Sequence, residues 1–204
     1  MNPDLPALAP ITHLLYLHGF RSSPQSNKAR QMAAWMQAHH PEVHWWCPQL
    51  PPSPAAAAAL IDQGTRDWPA PRMAVMGSSL GGFYATWLAQ RRGCRAALIN
   101  PAVQPERDLA RHLGTQSAWH DPAQQFDFTA EHLRELEALQ VGPLVQPEQL
   151  LAIIAQGDEV LDWREMTARY PGSPQVVVAG GDHALSDFEP HLPTLARFFG
   201  LTPP

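Results

Sequence analysis

Ser79 stands at the centre of Gly77-Ser78-Ser79-Leu80-Gly81, a G-x-S-x-G pentapeptide with an apolar run before it and a helical pattern after it. Met73-Ala74-Val75-Met76 reads as a buried strand, and Phe83 to Gln90 reads as a helix. A strand turns into a helix this sharply only when the residue at the turn takes a strained backbone, which lifts its hydroxyl clear of the sheet. The chemistry such a hydroxyl offers is nucleophilic attack on an acyl carbon. Gly77 and Gly81 flank the turn because a Cβ at either place would collide with the neighbouring strand or helix. The first helical amide, Leu80 N–H, points to where a substrate oxyanion would form. The pentapeptide alone is a weak signal, since a chain of this size contains one by chance about once in fifteen cases. Ser78 is the rival nucleophile, but the register of the motif puts Ser79 at the apex, leaving Ser78 to pack or hydrogen-bond beside it.

A serine hydroxyl needs a base, and imidazole has the pKa for that work near neutral pH. The chain has 10 histidines, so order and position must choose among them. His183 lies in Gly180-Gly181-Asp182-His183-Ala184, just past the last expected strand, where the glycines let its side chain swing over the elbow. The acid that orients it is expected at Asp158, immediately after the strand Leu150 to Gln156. Glu159, Asp162 and Asp182 are its rivals. Asp162-Trp163-Arg164-Glu165 is itself a capping-box pattern, and Asp182 adjoins His183 too closely for the two side chains to face each other. His39, His40, His44, His112, His120, His132 and His191 lack metal-ligand spacing, and no H-E-x-x-H occurs, so no metal site is expected. The loop His18-Gly19-Phe20 offers a second oxyanion donor, Phe20 N–H, with His18 bracing the loop. Arg21 has two readings, contact with an anionic substrate group or exposure to water.

These groups need a scaffold that gathers strand ends. Leu14 to Leu17, Val43 to Cys47, Met73 to Met76, Ala96 to Ile99, Leu150 to Ile154 and Gln175 to Ala179 are short, mostly apolar runs that alternate with helical patterns. They predict an α/β fold, a parallel sheet with helices on both faces and its chemistry at the carboxyl ends of the strands. Helices are expected from about Asn27 to His39, from Pro54 with Ser53 as N-cap to about Gln63, and from Thr129 to Leu139. A last one is expected to open on a capping box at Ser186.

The 204 residues suit a single domain over 1–204. With 45% hydrophobic and 16% charged residues the chain is globular, and a net charge of -5 argues against nucleic acid or an anionic membrane as partner. No apolar run reaches the length of a membrane span, and the proline-bearing start, Met1 to Pro10, lacks the features of a signal peptide. A cytoplasmic location is the expectation. Cys47 and Cys94 read as small buried hydrophobes rather than a disulfide framework.

The motifs together resemble the α/β-hydrolase superfamily and, within it, the small bacterial YqiA-type esterases. The resemblance is carried by Tyr16-Leu17-His18-Gly19-Phe20, Ser22-Ser23-Pro24, Ser26-Asn27-Lys28-Ala29 and the elbow through Ala85. Asn100-Pro101-Ala102, Gly157-Asp158-Glu159-Val160-Leu161-Asp162 and Gly180-Gly181-Asp182-His183 extend it from about Leu14 to Phe199. It implies an α/β-hydrolase fold with about six mostly parallel strands and a small helical cap. It also implies a cofactor-free esterase or thioesterase acting on small acyl esters or thioesters through an acyl-enzyme. On that pattern Ser79 is the nucleophile, Asp158 and His183 its partners, and Phe20 and Leu80 the oxyanion donors. A non-catalytic binding protein, or a peptidase, amidase or lactonase on the same residues, stays open beside it. The segment of about 101–149 is too long for a plain connection and is expected to form a cap or lid. Trp119, Phe126 and Phe128 in it either fill its own small core or, as Trp119 and Phe126 would, line an acyl site beside Ser79. The oligomeric state is not legible.

Overall fold

Short apolar runs become strands here because each is cut off by proline, glycine or a helix, and the four inner ones are buried on both faces. The structure is a computed structural model that describes residues 9–119 and 121–202; the chain start up to residue 8 and His120 lie outside the described residues. In chain order the elements are β1 (His13–Leu17), α1 (Asn27–His39), β2 (His44–Trp46), α2 (Pro54–Thr65), β3 (Met73–Ser78), α3 (Leu80–Arg92) and β4 (Arg95–Ile99). Next come α4 (Pro105–Asp108), β5 (Gly114–Ser117), β6 (Gln125–Phe128) and α5 (Ala130–Ala138). The chain closes with β7 (Leu150–Ala155), α6 (Trp163–Arg169), β8 (Gln175–Val178) and α7 (Leu192–Phe198).

One six-stranded sheet runs β2-β1-β3-β4-β7-β8, and every neighbouring pair in it is parallel. Alternate side chains go to opposite faces. Leu14, Tyr16, Ala74 and Met76 pack with Met32 and Met36 of α1 and Leu195 of α7, while Leu15, Leu17 and Val75 pack with Ile61 of α2 and Phe83 and Leu88 of α3. The strand order has a direct consequence for the site. The segments after β1, β3, β4, β7 and β8 emerge side by side, in that spatial order, at the carboxyl edge of the sheet.

Two stretches differ from the sequence reading. Residues 101–149, expected to be helical, also contain the antiparallel hairpin β5–β6, in which Gln116 pairs with Phe126 and Gly114 with Phe128. Phe126 and Phe128 alternate with Gln125 and Asp127, a period-two signal too short to stand out between polar neighbours. α5 docks this segment on the body: Glu135 Oε2 accepts from Ser53 Oγ at 2.8 Å and from the Ala55 amide at 3.1 Å. The other difference lies near the chain end. Ser186 opens no helix; its amide and hydroxyl both donate to the Asp182 carboxylate, and α7 begins only at Leu192. A helix started at Ser186 would carry Pro193 in its interior, where the missing N–H and the clash with the preceding turn break it; at the second position of α7 the proline costs nothing.

Candidate active site

Ser79 joins β3 to α3 with φ 56° and ψ −121°, a backbone conformation that costs an L-residue about 1–3 kcal/mol. The surroundings over-determine it. Its amide donates to Ile99 O at 3.0 Å, and its carbonyl accepts from the amides of Gly82 at 2.8 Å and Ala102 at 3.0 Å. A Cβ on Gly77 would lie 2.0 Å from Gly81 O, and one on Gly81 would lie 1.9 Å from Leu17 O. The two glycines are therefore fixed by close approach of backbone to backbone. Ser78 is the buried last residue of β3.

The turn aims the Ser79 hydroxyl at His183, whose Nε2 is 2.9 Å from Oγ. On the far side of the ring, Nδ1 lies 2.7 Å from Asp158 Oδ2. The carboxylate accepts a hydrogen bond from Nδ1–H, which fixes that tautomer and leaves Nε2 free to accept from the serine hydroxyl. The Asp158 side chain is shut off from solvent, and its other oxygen, Oδ1, accepts from the amides of Val160 at 2.9 Å and Leu161 at 2.8 Å. Both oxygens are thus spoken for, and the carboxylate has one orientation. Glu159 and Asp162, the neighbouring acids, are engaged elsewhere: Glu159 Oε2 accepts from the His183 amide at 3.0 Å, and Asp162 Oδ1 caps α6 through the Arg164 amide at 2.9 Å. Asp182 holds Ser186, and those bonds keep its carboxyl below the usual carboxylate range.

A residue whose part the sequence did not reveal also holds the His183 loop. Asn100, fully buried with φ 41°, follows β4 and donates through Nδ2 to the carbonyls of Asp182 and His183, both at 3.0 Å, while its Oδ1 accepts from the Ala155 amide at 2.8 Å. Lys28 reaches the next carbonyl, Ala184 O. Asn100→Ala is expected to cost about 1–3 kcal/mol, since it leaves the buried Ala155 amide without its acceptor and takes a donor from the carbonyls of Asp182 and His183, the first of which keeps the Leu185 amide. It should also slow any reaction that needs His183 in place, which thermal unfolding together with kcat on the same preparation would measure.

The loop after β1 passes beside the elbow. A Cβ on Gly19 would stand 3.7 Å from Ser79 Oγ and 3.3 Å from its Cβ, so the loop is pressed against the serine. His18 braces that loop: its Nε2 accepts from the Leu50 amide at 3.0 Å. Leu80 N–H, the first amide of α3, has no intrahelical acceptor, and Phe20 N–H meets no protein acceptor among the described residues. Phe20, Ser79, Leu80 and His183 line a cavity of about 680 Å³, together with Arg21, Trp119 and six of the residues from Ala102 to His112. Phe126 is not on that wall. It borders an adjoining space of about 200 Å³ and meets the Phe20 ring edge-on at 5.9 Å, with Phe128 buried behind at 5.0 Å. Trp119 is 70% exposed, its ring carrying the Arg21 guanidinium 4.1 Å above it.

Other nucleophiles are poorly placed. Burial pushes the thiols of Cys47 and Cys94 up to about 12, so neither is a thiolate at neutral pH. Among the described residues no group of three or more His, Cys, Asp or Glu is placed to hold a metal ion, and no helix is long and apolar enough to cross a membrane.

Residues 13–200 match the model of the family described as Uncharacterised protein family (UPF0227). The chain belongs to that family. This UPF0227 member is also similar in structure to alpha/beta hydrolase domain-containing protein 10 from mouse, with a TM-score of 0.70 at 14% identity over 93% of this chain and 90% of that one. Est1E from Butyrivibrio proteoclasticus with ferulic acid bound gives 0.64 at 15% identity, over 98% and 90%. A metagenome-derived lipolytic enzyme from a study of LipS and LipT gives 0.65 at 19%, over 94% and 95%. At such identities the likeness is one of fold, and the fold shared is that of the α/β hydrolases.

Proposed function

We propose that the protein is a serine esterase or thioesterase that hydrolyses small acyl esters or thioesters through an acyl-enzyme. The observation that carries the reading is the unbroken line from Ser79 Oγ to His183 at 2.9 Å and on to Asp158 at 2.7 Å, opening into a cavity large enough for a small ester. Ser79 Oγ attacks the acyl carbon while His183 Nε2 takes its proton, and the charged imidazole is stabilised by the solvent-free Asp158 carboxylate. The amides of Phe20 and Leu80 receive the developing oxyanion, a contribution of about 3–4 kcal/mol for each donor in comparable sites. His183 then returns the proton to the leaving alcohol or thiol. Water repeats the sequence on the acyl-enzyme, which frees the acid and Ser79. The esterase and lipolytic names among its structural neighbours support the same reading.

The test is hydrolysis of aryl acetate, butyrate and octanoate esters and of a matching thioester series by the purified protein. Turnover with a burst of aryl alcohol equal to the enzyme concentration is the expected result on at least one series. A protein that turns over none of them, yet binds an ester with measurable affinity, would favour a binding role on a hydrolase fold instead.

A further inference from the structure

The wall of the Ser79 cavity carries charge that the proposed chemistry does not use. The lining includes three cations, Arg21, Lys28 and Arg111, and one acid, Asp108. Asp108 is already taken by Arg107, whose Nε lies 2.9 Å from its Oδ1. Among the described residues none of the three cations forms an ion pair with a carboxylate. The chain as a whole is acidic, with a net charge of -5, so three cations on one cavity wall are a local feature; Lys28 is in the field of Asp182 and Asp158, which leaves Arg21 and Arg111 as the two guanidinium groups to consider.

Arg21 is the best organised of these groups. Its backbone sits at φ 62°, its carbonyl accepts from the Trp119 amide at 2.8 Å, and its Nε donates to Ser117 O at 2.6 Å. The guanidinium is stacked on the Trp119 ring at 4.1 Å, and both terminal nitrogens meet no acceptor among the described residues. A guanidinium fixed in this way has lost its rotamer freedom before any ligand arrives and presents a planar fork of donors, the geometry that a carboxylate accepts in pairs. His112 lies alongside. Its ring is 5.7 Å from that of Phe20, and its Nε2 accepts from Arg111 Nε at 3.4 Å. Burial first, then the charges of Arg111 and Arg21, hold its pKa below the ordinary histidine value, which puts both guanidinium groups within electrostatic reach of one spot on the wall. Opposite, the partly buried Lys28 ammonium is tied to the carbonyl of Ala184, next to His183.

We infer that the preferred substrate is an ester or thioester bearing a carboxylate, which Arg21 binds through its terminal nitrogens with Arg111 adding to the field. The inference rests on the serine-hydrolase reading of Ser79 and names the kind of substrate that site takes. A rigid charge-assisted pair on a cavity wall is worth about a ten- to hundred-fold preference over a neutral isostere.

Two matched pairs of substrates test it and separate the possible origins of the carboxylate. For the acyl side, an aryl monoester of glutaric acid is compared with the aryl pentanoate; for the alcohol side, 4-carboxyphenyl acetate with 4-carbamoylphenyl acetate. In one pair kcat/KM should favour the anionic member about tenfold or more, and the preference should shrink as salt rises from 0.05 to 0.5 M, roughly, by screening. Arg21→Gln should lower kcat/KM for the anionic member at least about tenfold more than for the neutral one, with Arg21→Lys keeping part of the preference. Because Arg21 also ties two loops together, Arg111→Gln is the second variant and should narrow the same preference without a change in thermal stability. Hydrolysis of neutral and anionic esters at equal kcat/KM would overturn the inference and leave the hydrolase reading standing. Hydrolysis of none of the four overturns the inference, and if the acetate, butyrate, octanoate and thioester series also go unhydrolysed it overturns the serine-hydrolase reading with it.

Discussion

Ser79→Ala is expected to lower kcat for ester hydrolysis by about 10⁴- to 10⁶-fold while the thermal unfolding midpoint stays close to that of the parent. The change removes one atom, the hydroxyl. Alanine has the same Cβ as serine and bears the same strain at φ 56°, and the Ser79 amide and carbonyl keep their bonds to Ile99, Gly82 and Ala102. What disappears is the proposed nucleophile, the hydroxyl 2.9 Å from His183. His183→Ala should lose activity by a similar factor, because groups that act in one proton relay fail together. Ser78→Ala, one residue earlier in β3, should keep a large part of it.

Asp158→Asn should cost about 10⁴ in kcat, and the structure gives a specific reason. Asp158 Oδ1 accepts from the Val160 and Leu161 amides. An asparagine in its place must therefore keep its carbonyl oxygen there and turn its NH₂ toward His183 Nδ1. Two donors cannot face each other, so the imidazole moves its proton to Nε2 and can no longer accept from Ser79. The neighbouring Asp162→Ala should retain activity and lose about 1 kcal/mol of stability through the missing cap of α6. A rate profile of the two variants that came out reversed would exchange the two roles.

Much of this was legible because the signals are local. Each of the six sheet strands is a short apolar run with glycine, proline or a helix pattern beside it, and the elbow glycines leave a mark at fixed spacing. The positions of Asp158 and His183, just past two of those runs, follow from the rule that parallel strands end on one edge. Asn100 is the counter-example. Its importance comes from a carbonyl pair 82 and 83 residues away and an amide 55 residues away, and nothing in Asn100-Pro101-Ala102 announces those distances. The hairpin β5–β6 was hidden for another reason: its strands have four residues each, and Thr115 and Gln116 are as polar as a loop. Trp119 and Phe126 show how a cap mixes roles. Each had two readings, packing within the segment or lining an acyl site beside the serine; of the two only Trp119 lines that cavity, while Phe126 packs against Phe20. Arg21 could be read two ways in the sequence because a stacking partner 98 residues on and a carbonyl 96 residues on, which fix its guanidinium, are set by the tertiary fold.

The central claim is that Ser79 becomes acylated, and the most direct measurement is to react the protein with a fluorophosphonate and locate the adduct by mass spectrometry of its peptides. The account predicts one phosphonyl group per chain, on Ser79, with the adduct kept in Ser78→Ala and lost in Ser79→Ala. An adduct on Ser78 or on any other residue, or equal labelling of Ser79→Ala and the parent, would contradict it.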